Sequence, residues 1–548
     1  MTAQTDEHVV ARVAAPARTP AHPSTPAHAP IPAREPTPTR APSQSRAGFL
    51  RLPRFWPFAL PPLAMLVLGV WGLDRGSMFG TEAATYWAAR LPIATFWRLL
   101  SHVDAVHGIY YLMMRGILAF GANEVVLRIP SVLGACIAAL LLTYLGHRLT
   151  GSRAIATAAG GAFVSLTVVN GTAQEGRSYA IDLALVLAAS AALVVAVQRE
   201  RAGSGRRMHW VGYAALVVVA GYLHEFTVLA VAAHAVTLAW SRADRKLWRR
   251  FCIAAACAVL ALVPLILISH AEDSALSWVP RATPASFVDL TVNLLGPLPL
   301  CIVMTSVLIV AGMLPVARWA SRSRPERITL VALSVPLLAV PGSILILESM
   351  LAVPLYGGVR YVLYSTAGAA LLAAAGACRL GDLVAGAIRP WRAEWVPQFI
   401  AGLLIACLFV AGLPLQISQR TAQGRLQNLS AAAAFVAADA RPGDAVLYIP
   451  LAAGLAQLGY PDDFGAVTDI ALSQSPERAA EFYGVAAPRA TILARIRRSR
   501  RLWVLGSMTS SSNVSPRLTM ERRAVESSFH RVTERDYAGI DVYLFLHD

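Results

Sequence analysis

Two acids and two histidines lie close together after the first apolar run: Glu82, His102, Asp104 and His107. Two further groups follow at the ends of later apolar runs. They are Glu175, Arg177 and Tyr179 in "AQEGRSYA", and Arg360 and Tyr361 in "VRYVLY". Ionisable side chains beside a membrane are costly and mark functional sites by default. A carboxylate can take a proton from an acceptor hydroxyl. Arginine's planar fork pairs with phosphate in two-point contact. Cations also stabilise the negative charge that builds on a departing phosphate. Together these groups suit transfer of a sugar from a lipid phosphate, with Glu82 as the base, Asp104 as its helper, and Arg177 and Arg360 on the donor phosphate.

Each residue also has a plainer role. Glu82 reads equally as a solvated loop charge and Asp104 as a helix cap. Arg177 and Arg360 read as lipid-headgroup contacts, and Glu175 as an ion-pair partner of Arg177. His102 and His107 either bracket Asp104 structurally or bind a divalent metal ion, for which five-residue spacing alone is a weak signal. Tyr110, Tyr111 and Tyr361 read first as aromatic residues of an interfacial belt.

The elements that must position these groups follow from composition. Of 548 residues, 56% are hydrophobic and 15% charged, against about a quarter charged in a soluble domain. About 20 consecutive apolar residues cross a bilayer as a helix. Eleven such spans are expected, at 56–73, 129–146, 154–172, 179–197, 209–223, 226–240, 251–269, 292–317, 328–348, 360–377 and 398–415. Between the first two lies a long loop, 74–127, in which "IATFWRLLSHV" and "IYYLMMRGILAF" read as amphipathic helices on the membrane surface.

The net charge is +16, and Lys246 is the one lysine. The arginines crowd into alternate short loops such as "QRERAGSGRR", "SRADRKLWRR" and "ARWASRSRPER". That is the positive-inside pattern, and it argues against nucleic acid as a partner. It places the N-terminus in the cytoplasm and the C-terminus outside. A twelfth span at "IYYLMMRGILAF" would put the basic loops outside; that segment is also short and carries Arg115.

Residues 1–50, rich in Pro, Ala and Arg, read as a disordered cytoplasmic tail. Residues 51–420 form the transmembrane domain and 421–548 a small extracytoplasmic α/β domain. In the latter "SAAAAFVAADA" and "ERRAVESSFHRV" read as helices, and "AVLYIP", "RLWVLGS" and "DVYLFL" as strands. Cys136, Cys252, Cys257, Cys301, Cys378 and Cys407 all fall in apolar runs, so no disulfide framework is implied.

The run "GTEAATYWAA…HVDAVHGIYYLMMRGILAFGANEVVLRIPSVLGA", with "AQEGRSYAIDL" and "VRYVLYSTAGAALLAAAG", resembles glycosyltransferase family 39, of the type common in actinobacteria. That family is related to protein O-mannosyltransferases and lipid A aminoarabinose transferases. The resemblance covers about 55–380. It implies a GT-C fold, a membrane glycosyltransferase active site facing outside, and a polyprenyl-phosphate sugar donor, mannose above other sugars. The acceptor is then a protein hydroxyl or a cell-envelope glycan. The resemblance carries Arg177 and Arg360 over as donor-phosphate contacts. The family's first-loop Asp-Glu pair reads Thr81-Glu82 here, so the first acid is missing and Glu82 or Asp104 must replace it. The rival reading is a polytopic transporter or lipid-handling protein. Transporters place charges at the bilayer midplane, often in two repeated halves. This chain has no evident repeat, and its polar groups cluster at helix ends.

Overall fold

The computed structural model describes residues 55–271, 279–314, 328–387, 395–508 and 516–548. The Pro-rich tail, residues 272–278 and the basic run at 317–327 lie outside them.

The described chain opens with α1 (Trp56–Val70) and three helices of the long first loop: α2 (Gly80–Arg90), α3 (Ile93–Leu100) and α4 (Gly108–Ile117). The bundle continues with α5 (Glu124–Thr150), α6 (Arg153–Ser165), α7 (Thr167–Ala173), α8 (Tyr179–Arg201), α9 (Arg207–Leu223) and α10 (Leu229–Trp240). It ends with α11 (Arg245–Ala271), α12 (Ala285–Leu295), α13 (Pro299–Met313), α14 (Leu330–Leu351), α15 (Thr366–Ala387) and α16 (Val396–Ser418).

Among the described residues six helices are long and apolar enough to cross a membrane. They are α5, α8, α11, α14, α16, and α15 with the 3-10 turn Val359–Ser365 that leads into it. The pairs α6–α7 and α12–α13 pass the same test together, bent by 69° and 86°. The other expected spans are the shorter helices α1, α9 and α10, of 15, 17 and 12 residues. Every expected span thus meets a helix or a bent pair. Helices are what the bilayer demands, since each satisfies its own backbone groups.

One close approach matters for the site. A Cβ on Gly134 of α5 would lie 2.8 Å from the backbone nitrogen of Ile181, so only glycine lets α5 touch the first turn of α8. This seats the turn that carries Arg177.

The C-terminal domain begins with α17 (Leu429–Asp439). A five-stranded sheet follows, of β1 (Asp444–Ile449), β2 (Val467–Asp469), β5 (Arg501–Gly506), β6 (Phe529–Tyr537) and β7 (Ile540–His547), in the order β2-β1-β5-β7-β6. β1 runs parallel to β2 and β5; β7 runs antiparallel to β5 and β6. Alternate residues face two cores. Val446, Tyr448, Trp503 and Leu505 pack on α17, and Ala445, Leu447, Leu502 and Val504 pack on Ile492 and Ile496 of the helix Arg489–Arg498. The expected helix "ERRAVESSFHRV" stops at Glu526, and Phe529–Val532 opens strand β6 instead. β6 is an edge strand dominated by charged side chains, which hid its period.

This domain is fastened to the first loop. The Tyr460 hydroxyl accepts from the Met78 N–H at 2.8 Å and donates to Glu124 Oε1 at 2.9 Å. Gln427 Oε1 accepts from the Gly80 N–H at 2.7 Å. Ala83 of α2 is buried in the same core as α17.

Candidate functional site

The site is built on the first loop, the α7–α8 turn and the start of the 359–365 turn. Its centre is Asp104. The residue has left-handed backbone, φ 61° and ψ 28°, which aspartate tolerates better than most residues and which tends to mark functional positions. Its side chain caps nothing. It accepts a hydrogen bond from the Tyr111 hydroxyl instead. His107 Nε2 lies 3.8 Å from the other carboxylate oxygen. A quarter of the Asp104 side chain remains exposed.

Arg177 completes the chain of contacts. Its Nη1 donates to Tyr111 Oη at 3.4 Å and to Thr85 Oγ1 at 3.2 Å, while its Nε is buried without a partner among the described residues. Asp104, Tyr111 and Arg177 therefore form one polar path. Around it stand His107, His224, Tyr179, Tyr361 and Phe226. The His224 ring lies 5.3 Å from Tyr179 and 5.4 Å from Tyr361, and Phe226 stacks on Tyr361 at 5.2 Å. The Tyr179 and Tyr361 rings are 6.4 Å apart. Burial raises the Asp104 pKa, while Arg177 and the Tyr111 hydroxyl pull it down. Burial, with Arg177 nearby, holds His107 well below the ordinary histidine range, and burial, then His107 and Arg177, does the same for His224.

Glu175 is half-buried among cations. Burial raises its pKa, and Arg360, Arg425 and Arg177 oppose that. Its Oε2 makes no hydrogen bond among the described residues, and it forms no close ion pair with Arg177. Arg425, absent from the sequence-based set, lies in the linker after α16. Its Nη1 donates to the Gln174 carbonyl at 3.1 Å, while its Nε and Nη2 are buried without partners among the described residues. Nothing local marks Arg425 as a member of this cluster; only the fold brings it there.

Glu82 requires a correction. It is neither a solvated loop charge nor an open base. It is fully buried on α2 and receives two hydrogen bonds from Arg128, at 2.9 and 3.0 Å. It receives two more from the backbone N–H groups of Gly176 at 2.7 Å and Phe79 at 3.3 Å. Arg128 gives its remaining three donors to the carbonyls of Leu73, Gly76 and Ser77. This closed ion pair locks α2, α5 and the Arg177 turn together. The helix α2 itself was not anticipated in the loop.

Tyr110 and Tyr111 also depart from the expected belt role, being 1% and 0% exposed. His102 is exposed, with its Nδ1 2.7 Å from the Arg98 carbonyl oxygen, and stands apart from His107. No group of three or more His, Cys, Asp or Glu side chains gathers among the described residues.

No protein-family model matches the sequence, and no curated protein matches it. Solved structures do share its fold. ArnT from Cupriavidus metallidurans in the apo state is similar over 88% of this chain and 97% of its own, with a TM-score of 0.53 at 13% identity. The structure of that protein bound to undecaprenyl phosphate is similar over 90% of this chain and 98% of its own, with a TM-score of 0.51 at 13% identity. The chain is an α-helical polytopic membrane protein with a GT-C-like bundle and a small C-terminal α/β domain.

Proposed function

We propose that this protein is a membrane glycosyltransferase that moves a sugar from a polyprenyl-phosphate donor to an acceptor hydroxyl, with inversion at the anomeric carbon. Asp104 takes the acceptor proton as the acceptor oxygen attacks and the bond to phosphate breaks. Arg177 and Arg360 hold the phosphate as it leaves. Glu175 and Arg425 set the charge balance round those arginines, while His107, Tyr179 and Tyr361 stand around the Asp104–Tyr111–Arg177 path. Glu82 acts through Arg128 as a positioning residue.

The observation that carries this reading is the path Asp104–Tyr111–Arg177. It holds a partly exposed carboxylate and a buried guanidinium with a spare N–H in one rigid arrangement. The fold shared with ArnT, which has been solved with undecaprenyl phosphate, supports a polyprenyl-phosphate donor. Mannose and a protein or cell-envelope glycan acceptor rest on the family resemblance alone.

Membranes given radiolabelled polyprenyl-phosphate sugars should pass label to a glycan or protein fraction. Arg177→Ala and Arg360→Ala should each weaken donor binding by about 1.5–3 kcal/mol, the scale of a hydrogen bond to a charged group. Donor affinity unchanged in both would remove the phosphate-holding role.

The active site then faces the outside and the N-terminus lies in the cytoplasm. The support is the run of basic residues where α8 meets α9, at Arg199, Arg201, Arg206 and Arg207, and where α10 meets α11, at Arg242, Arg245, Lys246, Arg249 and Arg250. Alkaline phosphatase fused after residue 420 is expected to be active, and phosphatase fused within 198–208 inactive. The reverse pattern would overturn the orientation.

A further inference from the structure

His224 is a buried polar side chain for which the reaction as described has no use. It ends α9, where "GYLHEF" passes into the 3-10 turn Glu225–Val228. Its backbone is extended, with φ −159° and ψ 111°. Its carbonyl accepts from the Thr227 hydroxyl at 2.8 Å and from the Thr227 N–H at 3.0 Å. Those two bonds fix the point from which the imidazole projects. The residue is 4% exposed, yet neither ring nitrogen makes a hydrogen bond among the described residues. Buried polar groups are almost always paired, because leaving one unpaired costs its whole desolvation penalty. An unpaired imidazole inside a candidate site therefore asks for a ligand.

The rings round His224 place it beside both ends of the Asp104–Tyr111–Arg177 path. His107 has its Nε2 3.8 Å from Asp104 and its ring 6.3 Å from that of His224. Tyr179 has its ring 5.9 Å from the Arg177 guanidinium carbon and 5.3 Å from His224. Tyr361 and Phe226 complete the cluster, with rings 5.4 and 5.5 Å from His224. His224 is thus one ring away from the carboxylate and one ring away from the guanidinium.

The reaction dictates what must come to this place. The acceptor oxygen, deprotonated by Asp104, attacks the anomeric carbon, and the phosphate held by Arg177 leaves from it. The sugar that carries that carbon must therefore meet the surroundings of both groups. A sugar ring offers an apolar C–H face, which packs on aromatic rings, and hydroxyls, which need hydrogen-bond partners. An imidazole with one protonated nitrogen offers one donor and one acceptor, and a hydroxyl can answer either.

We propose that His224 is a sugar-positioning residue, whose ring nitrogens bind a hydroxyl of the donor's glycosyl unit beside the rings of Tyr179 and Tyr361. The ligand is a sugar with free hydroxyls, still joined to the lipid phosphate. This rests on the reading of Asp104 as the base and Arg177 as a phosphate-holding residue. It adds to that reading a contact that senses the sugar and not the phosphate.

The test measures binding to the full-length protein in detergent, with three probes: bare polyprenyl phosphate, polyprenyl-phosphate mannose and polyprenyl-phosphate glucose. The wild-type protein is expected to bind at least one sugar-bearing lipid about tenfold more tightly than the bare lipid, the scale of one hydrogen bond. His224→Phe keeps a ring against Tyr179, Tyr361 and Phe226 and removes both nitrogens. It should reduce that preference to within about twofold and leave affinity for the bare lipid unchanged. Arg177→Ala, by contrast, should weaken all three lipids together. A His224→Phe protein that keeps the wild-type preference overturns the proposal. So does one that loses the bare lipid equally, since His224 would then only support the packing. A wild-type protein with no preference for either sugar-bearing lipid also overturns it, while the phosphate-holding role of Arg177 stands. If the wild-type protein binds none of the three lipids, the polyprenyl-phosphate reading itself has failed, and the role of His224 falls with it.

Discussion

Asp104→Asn is expected to abolish sugar transfer while leaving donor binding intact. The amide matches the carboxylate in size, and its oxygen can still accept from the Tyr111 hydroxyl. The polar path to Arg177 should therefore survive. What the variant loses is the capacity to take a proton, and loss of a general base costs about 10²- to 10⁴-fold in rate. The pH profile supplies an independent readout. Burial, partly offset by Arg177 and Tyr111, raises the Asp104 pKa above the ordinary aspartate value of 3.8. The ionised form is the active one, so the rate should fall as pH drops through this raised pKa. The acidic limb then lies above the ordinary aspartate range and vanishes from whatever residual activity Asp104→Asn retains. Turnover within tenfold of wild type in that variant would exclude Asp104 as the base.

Arg128→Ala should leave little folded protein. Arg128 and Glu82 are both fully buried, and the guanidinium satisfies three carbonyl oxygens besides the carboxylate. Removing it strands an unpaired charge in the interior, which costs about 3–5 kcal/mol. That is much of the stability of an ordinary domain. Glu82→Gln should act in the same direction, because the amide turns an N–H toward groups that already donate. Thermal unfolding in detergent, followed by intrinsic tryptophan fluorescence, measures both. A Glu82→Gln protein with wild-type stability and donor affinity, yet without turnover, would return the base role to Glu82 and sink the assignment to Asp104.

The two predictions turn on residues that the sequence does not rank. The apolar runs alone located the long helices of the bundle, because a bilayer admits no other way to satisfy the backbone of a long apolar segment. Buried strands such as Asp444–Ile449 were legible for a similar reason, as short apolar runs bounded by turn residues. Asp104 and Arg177 were also candidates from their residue types and places at the ends of apolar runs. Their order of importance was not readable there. Glu82 looked like the better base until its partner appeared 46 residues away, on α5. Tyr111 looked like a belt aromatic until its hydroxyl met Asp104, and Arg425 reaches the site from beyond the last span. Sequence determines which segments must leave water, since burial of apolar surface is a sum over local composition. Whether a given carboxylate is locked in an ion pair or left open to a substrate depends on which distant groups the packing sets beside it, and only the tertiary structure decides that.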